Sequence, residues 1–149
     1  MSAFFTVRFF ALLFAALALV PAGAHLAELP NKIDLPAADY QTVQQIYSGW
    51  ALFGIVVFGA LISISMLTIM ARGEPRVFRL TVVALLCIVG TQVVFWSFTF
   101  PANQATANWS TLPPNWTELR AQWEYSHAAS MGNSHRTARL KRREASHPA

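Results

Sequence analysis

From Gly49 to Ala71 the chain runs 23 residues without a charge, and from Leu80 to Phe100 a further 21. A hydrocarbon layer of about 30 Å takes roughly 20 helical residues to cross, so each run predicts a membrane-spanning helix. Neither run could stay exposed in water, and 149 residues make no core large enough to hide both. A third apolar run, Phe9 to Val20, follows Arg8 and ends at Pro21. It reads either as a secretory signal cleaved after the small residues Ala22 to Ala24, or as a span from Ala3 to about Ala24 with Arg8 snorkelling to the interface. The span is favoured because a helix through Pro21 reaches the required length. The pattern therefore predicts an all-α integral membrane fold with spans at about 3–24, 49–71 and 80–100.

The polar stretches between these runs are short. Pro30 and Pro36 bracket residues 31–35 as an irregular loop, and Ala37 to Ser48 predicts a polar helical lead-in running directly into the second span. After Pro113 and Pro114, Asn115 and Glu118 form a capping-box-like helix start. At 100° per residue Trp116, Leu119, Trp123 and His127 share one stripe, which predicts an amphipathic interfacial helix over about 115–130. Its aromatic side suits a headgroup boundary, where the tryptophans with Trp109 would be anchors, or the mouth of a bundle. Residues 1–131 then form one membrane domain, and 132–149 a basic tail. Gly59 and Ser63 make a small-xxx-small pair that admits another helix closely, in this chain or in an oligomer. Gln92 should face the bundle. Cys87 is the only cysteine; no internal disulfide can form, and it reads as a small core residue.

Charge sets the expected orientation. Residues 72–79 hold Arg72, Arg76 and Arg79, whereas Pro21 to Ser48 holds only Lys32. The positive-inside rule puts the 72–79 loop in the cytoplasm, and 25–48 and 101–127 outside, as in a multi-pass protein of the plasma (inner) membrane. Residues 1–131 carry equal numbers of basic and acidic groups, so the whole net charge of +4 lies in the tail. Three spans leave that tail outside, against the same rule. An altered terminus, through truncation or a change of frame, resolves the conflict; contact of the tail with anionic lipid is the alternative. Nucleic acid is not an expected partner. No Gly-rich phosphate loop, CxxC or GxSxG motif is present, so nucleotide and serine-hydrolase chemistry have no support.

Candidate chemistry concentrates after the last span, from Phe95 to His127. Glu124 and His127 stand three residues apart, as do His25 and Glu28 after the first run. That spacing puts acid and imidazole on one helix face, and the orientation places both pairs at the same external boundary. Three readings stay open. His25, Glu28, Glu124 and His127 could together hold a divalent metal, although no metal is assigned. A carboxylate-tuned His127 could move a proton. Or Glu124 pairs with Arg120 and His127 closes the bundle.

Four segments, Glu28 to Ile33, Val43 to Trp50, Phe95 to Asn103 and Trp123 to His127, resemble an uncharacterised family of small bacterial membrane proteins. That family is a domain of unknown function grouped with the anthrone oxygenases, and the resemblance covers about residues 5–130. It implies a four-helix membrane bundle in which Asn103, Trp109, Trp123 and His127 match recurrent polar-aromatic positions. It also implies that relatives run on into a fourth apolar helix where this chain departs, after about Ala129. The expected function is thus a small integral membrane protein with a polar-aromatic site at the external boundary, its biochemical role open. An enzymatic version oxidises a hydrophobic phenolic molecule without a cofactor. In it His127, oriented by Glu124, is the base, Asn103 assists, and Trp109, Trp116, Trp123, His25 and Glu28 line the binding site. A non-enzymatic version is an accessory subunit packing through Gly59 and Ser63.

Overall fold

The structure, a computed structural model, describes residues 3–129. The basic tail, the chain's departure after Ala129 and the side on which the tail lies fall outside the described residues. Helix α1 spans Ala3–Lys32 and contains both Pro21 and Pro30. Then come α2 at Ala37–Gln44, α3 at Phe53–Met70, α4 at Pro75–Val94 and α5 at Phe100–Ala105. A sixth helix, α6, runs from residue 116 to 129.

Three of these stretches, Ala3–Lys32, Trp50–Met70 and Pro75–Ala105, are long and apolar enough to cross a membrane. The most apolar window of each is only 6%, 28% and 0% buried within the protein. Faces carrying Ile55, Phe58 and Ile62 on α3, or Leu80, Val83 and Leu86 on α4, stand exposed. Water would penalise each such side chain by roughly 1.5–3 kcal/mol relative to burial, so lipid is the solvent these helices are built for.

Helices α1 and α3 pack antiparallel. A Cβ on Gly59 would lie 2.8 Å from the Phe14 ring, and Ala11 meets Ile64 and Leu67 nearer the α3–α4 turn. The close approach expected of Gly59 and Ser63 is therefore taken by α1 of the same chain. Cys87 is exposed, not in the core as its residue type suggested, because α4 turns that face outward. Gln92 is half-buried and donates to Thr91 Oγ1 on its own helix at 3.5 Å.

Three departures from the expected boundaries shape the other end. Helix α1 continues eight residues past Ala24, through Pro30. The expected loop at 31–35 shrinks to the turn before α2. The lead-in helix does not run straight into α3: Gly49 breaks it at φ 86°, a left-handed conformation that favours glycine. Beyond α4, residues 95–99 form a π-helical turn. Pro101 has no N–H for the carbonyl of Ser97, four residues back, and the wider turn accommodates that lost partner.

Helix α6 then returns along the bundle. Trp123 pairs with Asn103 and Ser126 with Thr99, while Glu124 pairs with Lys32 and His127 with His25. Residue numbers rise along α6 as they fall along α1 and α5, so α6 is antiparallel to both. Its predicted stripe is covered by protein: Trp123 and Glu124 are buried, and Thr117, Glu118 and Tyr125 are exposed.

Candidate functional site

A helix continuous through Pro30 puts His25, Glu28 and Lys32 on one face, at offsets of three and seven residues. Helix α2 and its following turn present Tyr40, Gln44 and Tyr47 at the same kind of spacing. These two stripes meet α6 at the end of the bundle opposite the arginine-bearing turn. Between α5 and α6 the backbone takes three consecutive left-handed residues, Ala107, Asn108 and Trp109, at φ 48°, 55° and 64°. Non-glycine residues avoid this region at a cost of roughly 1–2 kcal/mol each. The turn is held by Asn108 N–H donating to the Asn103 carbonyl (2.7 Å), Trp109 N–H to Thr106 Oγ1 (3.1 Å) and Gln45 Nε2 to the Trp109 carbonyl (3.2 Å). Its effect is to drive Trp109 inward, 2% exposed, against Tyr40, Ala102 and Trp123.

At the centre lies the ammonium of Lys32, itself 3% exposed. It stands 3.1 Å from Glu124 Oε1 and 3.7 Å from Glu28 Oε2, and donates to the Tyr47 hydroxyl at 2.8 Å. The Tyr47 hydroxyl in turn donates to Glu28. Tyr40 donates to Glu124 Oε1 at 3.0 Å and accepts from Gln44 Nε2. The rings of Tyr47 and Trp123 lie 4.4 and 4.8 Å from the Lys32 nitrogen, adding cation–π attraction. Burial of a charge is tolerated only with this much compensation.

Beside this network the imidazoles of His25 and His127 pack against each other, ring centres 4.1 Å apart and planes tilted by 31°. Trp123 meets both edge-on, at 4.9 and 4.3 Å. Burial, with the neighbouring His25 and Lys32, pushes His127 down from 6.5 to about 3, so it is neutral at ordinary pH. Burial pushes Glu124 up, opposed by the Lys32 ammonium and the Tyr40 hydroxyl. The Tyr40 and Tyr47 hydroxyls are pushed up as well, chiefly by burial and then by their carboxylate neighbours, and stay protonated. Glu124 Oε2 and His25 Nδ1 are buried without a hydrogen-bond partner among the described residues.

The structure brings His25, Glu28, Trp123, Glu124 and His127 together, as the mirrored spacing suggested. Three expected details change. Glu124 is engaged by Lys32 and Tyr40, so it neither orients His127 nor pairs with Arg120. Arg120 instead donates to the Leu35 carbonyl at 2.8 Å and covers Trp116 at 4.7 Å. The four-residue metal set is not assembled: Lys32 occupies the space between the carboxylates, and the described residues gather no group of three or more ligand side chains. Asn103 accepts from Trp123 Nε1 at 2.8 Å and so sets the indole's orientation. Trp109 and Trp123, expected as headgroup anchors, are core residues, and Trp116 packs partly buried beside them.

Lys32, Tyr40, Gln44 and Tyr47 are the members that sequence reasoning missed. Their signal was present as i, i+4, i+7 spacing with Glu28 and within the lead-in helix. It was hidden by ending the first helix before Pro30.

Fold and site together define an all-α membrane bundle with a buried ionic and aromatic cluster at one end. Compared with protein-family models, with curated proteins and with solved structures, the chain matches none.

Proposed function

We propose that this is a multi-pass protein of the plasma (inner) membrane whose cluster is an acid–base centre acting on a hydrophobic phenolic molecule. The 72–79 loop is cytoplasmic and the cluster external, following the arginine distribution. The substrate class comes from the resemblance to an uncharacterised family grouped with the anthrone oxygenases. The observation that carries the reading is the buried, unpartnered Glu124 Oε2, on a carboxylate whose other oxygen is held by Lys32. Orphaned buried oxygens are expensive and concentrate where a ligand completes them.

In this reading the base is Glu124 rather than His127. A neutral imidazole whose acid form exists only near pH 3 is a weak proton acceptor, whereas a carboxylate pushed upward by burial is a stronger one. Glu124 takes a proton from the benzylic carbon, and Lys32 balances the charge of the resulting anion. The anion adds to dioxygen, reducing it to a carbon-bound peroxide, and Glu124 returns its proton to give the hydroperoxide. Loss of water then leaves a ketone, so a methylene and dioxygen yield a carbonyl and water.

A second reading is favoured by one observation: neither the shallow depression lined by Gln41, Thr42, Gln45 and Ser110 nor the groove lined by Phe4, Leu12 and Leu67 includes Lys32, Glu124 or His127. On this reading the Lys32 network is a structural lock between α1 and α6 in an accessory subunit. Membranes containing the protein are incubated with an anthrone under oxygen, and quinone is measured. The acid–base reading expects turnover that falls about 100-fold or more in Glu124→Gln. Undiminished turnover in that variant overturns the base assignment, and no turnover by the native chain favours the lock.

A further inference from the structure

At the opposite end of the bundle a groove of about 260 Å³ opens between α1, α3 and α4. Phe4, Leu12, Leu67 and Leu80 line it, with Arg8 as its single charged residue. The other polar lining group, Thr81, donates its hydroxyl to the Phe78 carbonyl at 2.9 Å, which leaves Arg8 as the groove's recognition element. Arg8 is exposed and has no acidic partner among the described residues. It lies five residues inside α1, about 7.5 Å from the first described turn, with Phe4, Phe5, Phe9 and Phe10 around it in sequence. A guanidinium at that depth in an apolar helix needs an anion or water to offset its desolvation.

The antiparallel packing of α1 on α3 brings Arg8 to the end where the α3–α4 turn carries Arg72, Arg76 and Arg79, with Glu74 the only acid from 72 to 79. An apolar lining with one guanidinium, at the arginine-rich end of the bundle, is complementary to a molecule with an acyl tail and an anionic head. We propose that this groove binds an anionic phospholipid, one acyl chain against Leu12, Leu67 and Leu80 and the phosphate on Arg8. A guanidinium matches phosphate through two parallel donors. The site is independent of the acid–base cluster and rests only on the membrane placement proposed above.

The test is native mass spectrometry of the full chain released from nanodiscs holding equal amounts of phosphatidylglycerol and phosphatidylcholine with matched chains. The proposal expects retained phosphatidylglycerol in preference to phosphatidylcholine. Arg8→Gln should reduce that preference about 5-fold, the ratio corresponding to ~1 kcal/mol per basic residue at an anionic surface. Arg8→Lys should recover part of it, and Leu12→Trp, which fills the groove, should abolish retention. Equal retention of both lipids by the native chain overturns the site. So does a preference that survives Arg8→Gln and disappears only when Arg72, Arg76 and Arg79 are neutralised. Extraction of the chain from vesicles by alkaline carbonate would instead show that the membrane placement had failed.

Discussion

Replacing Lys32 by methionine tests the centre of the cluster directly. Methionine keeps most of the side chain's length and its contacts with Tyr47 and Trp123 but removes the charge. The ammonium lies 3.1 Å from Glu124 Oε1, which at an effective dielectric of ~20 corresponds to roughly 5 kcal/mol of attraction. Both groups are almost fully buried, so little water is available to replace the lost partner. Breaking such a pair from one side costs ~3–5 kcal/mol. For a chain of this length that lowers the unfolding midpoint by on the order of 10 °C. Glu124→Gln should cost less, because Lys32 keeps Glu28 and Tyr47 as partners. The double variant should be more stable than the sum of the two losses implies, by at least ~1.5 kcal/mol. Thermal unfolding in detergent micelles, followed by tryptophan fluorescence, measures all three. Additive losses, or a Lys32→Met midpoint equal to that of the native chain, would refute the claim that this ion pair ties α1 to α6.

Acidification should destabilise the fold through His127. Its folded value is depressed, so the stabilisation it carries is complete above 6.5 and is lost as pH falls towards about 3; His127→Phe should flatten that part of the pH profile. Gly59→Ala should cost ~1–3 kcal/mol because the new Cβ meets the Phe14 ring, and adding Phe14→Ala should recover part of it. Asn103→Leu should cost ~1–3 kcal/mol by stranding the Trp123 indole N–H, and should red-shift or broaden its emission. An unchanged midpoint in either packing variant would contradict the contacts described.

The sequence by itself determined the helical class and the three apolar helices. Lipid satisfies no backbone donors, so an uncharged run of 20 or more residues has almost no alternative to a helix. It also indicated which face of α6 is covered, because helical periodicity records which side chains avoid solvent. The mirrored His25–Glu28 and Glu124–His127 spacing suggested that the two pairs could meet, and they do, since each half was local to one helix. The sequence did not show that Lys32 belongs to that site. Its membership depends on α1 continuing through Pro30, and the energy of that continuation comes from neighbours distant in sequence. Nor did it show that Glu124 answers Lys32 rather than Arg120, because Arg120 is the nearer residue along the chain and Lys32 the nearer one in space. The left-handed turn at 107–109 was equally hidden: no glycine marks it, and it is held by a hydrogen bond from Gln45 to the Trp109 carbonyl and one from the Trp109 N–H to Thr106. Tertiary structure decided these points, because helix periodicity fixes what shares a face and only packing fixes which faces meet.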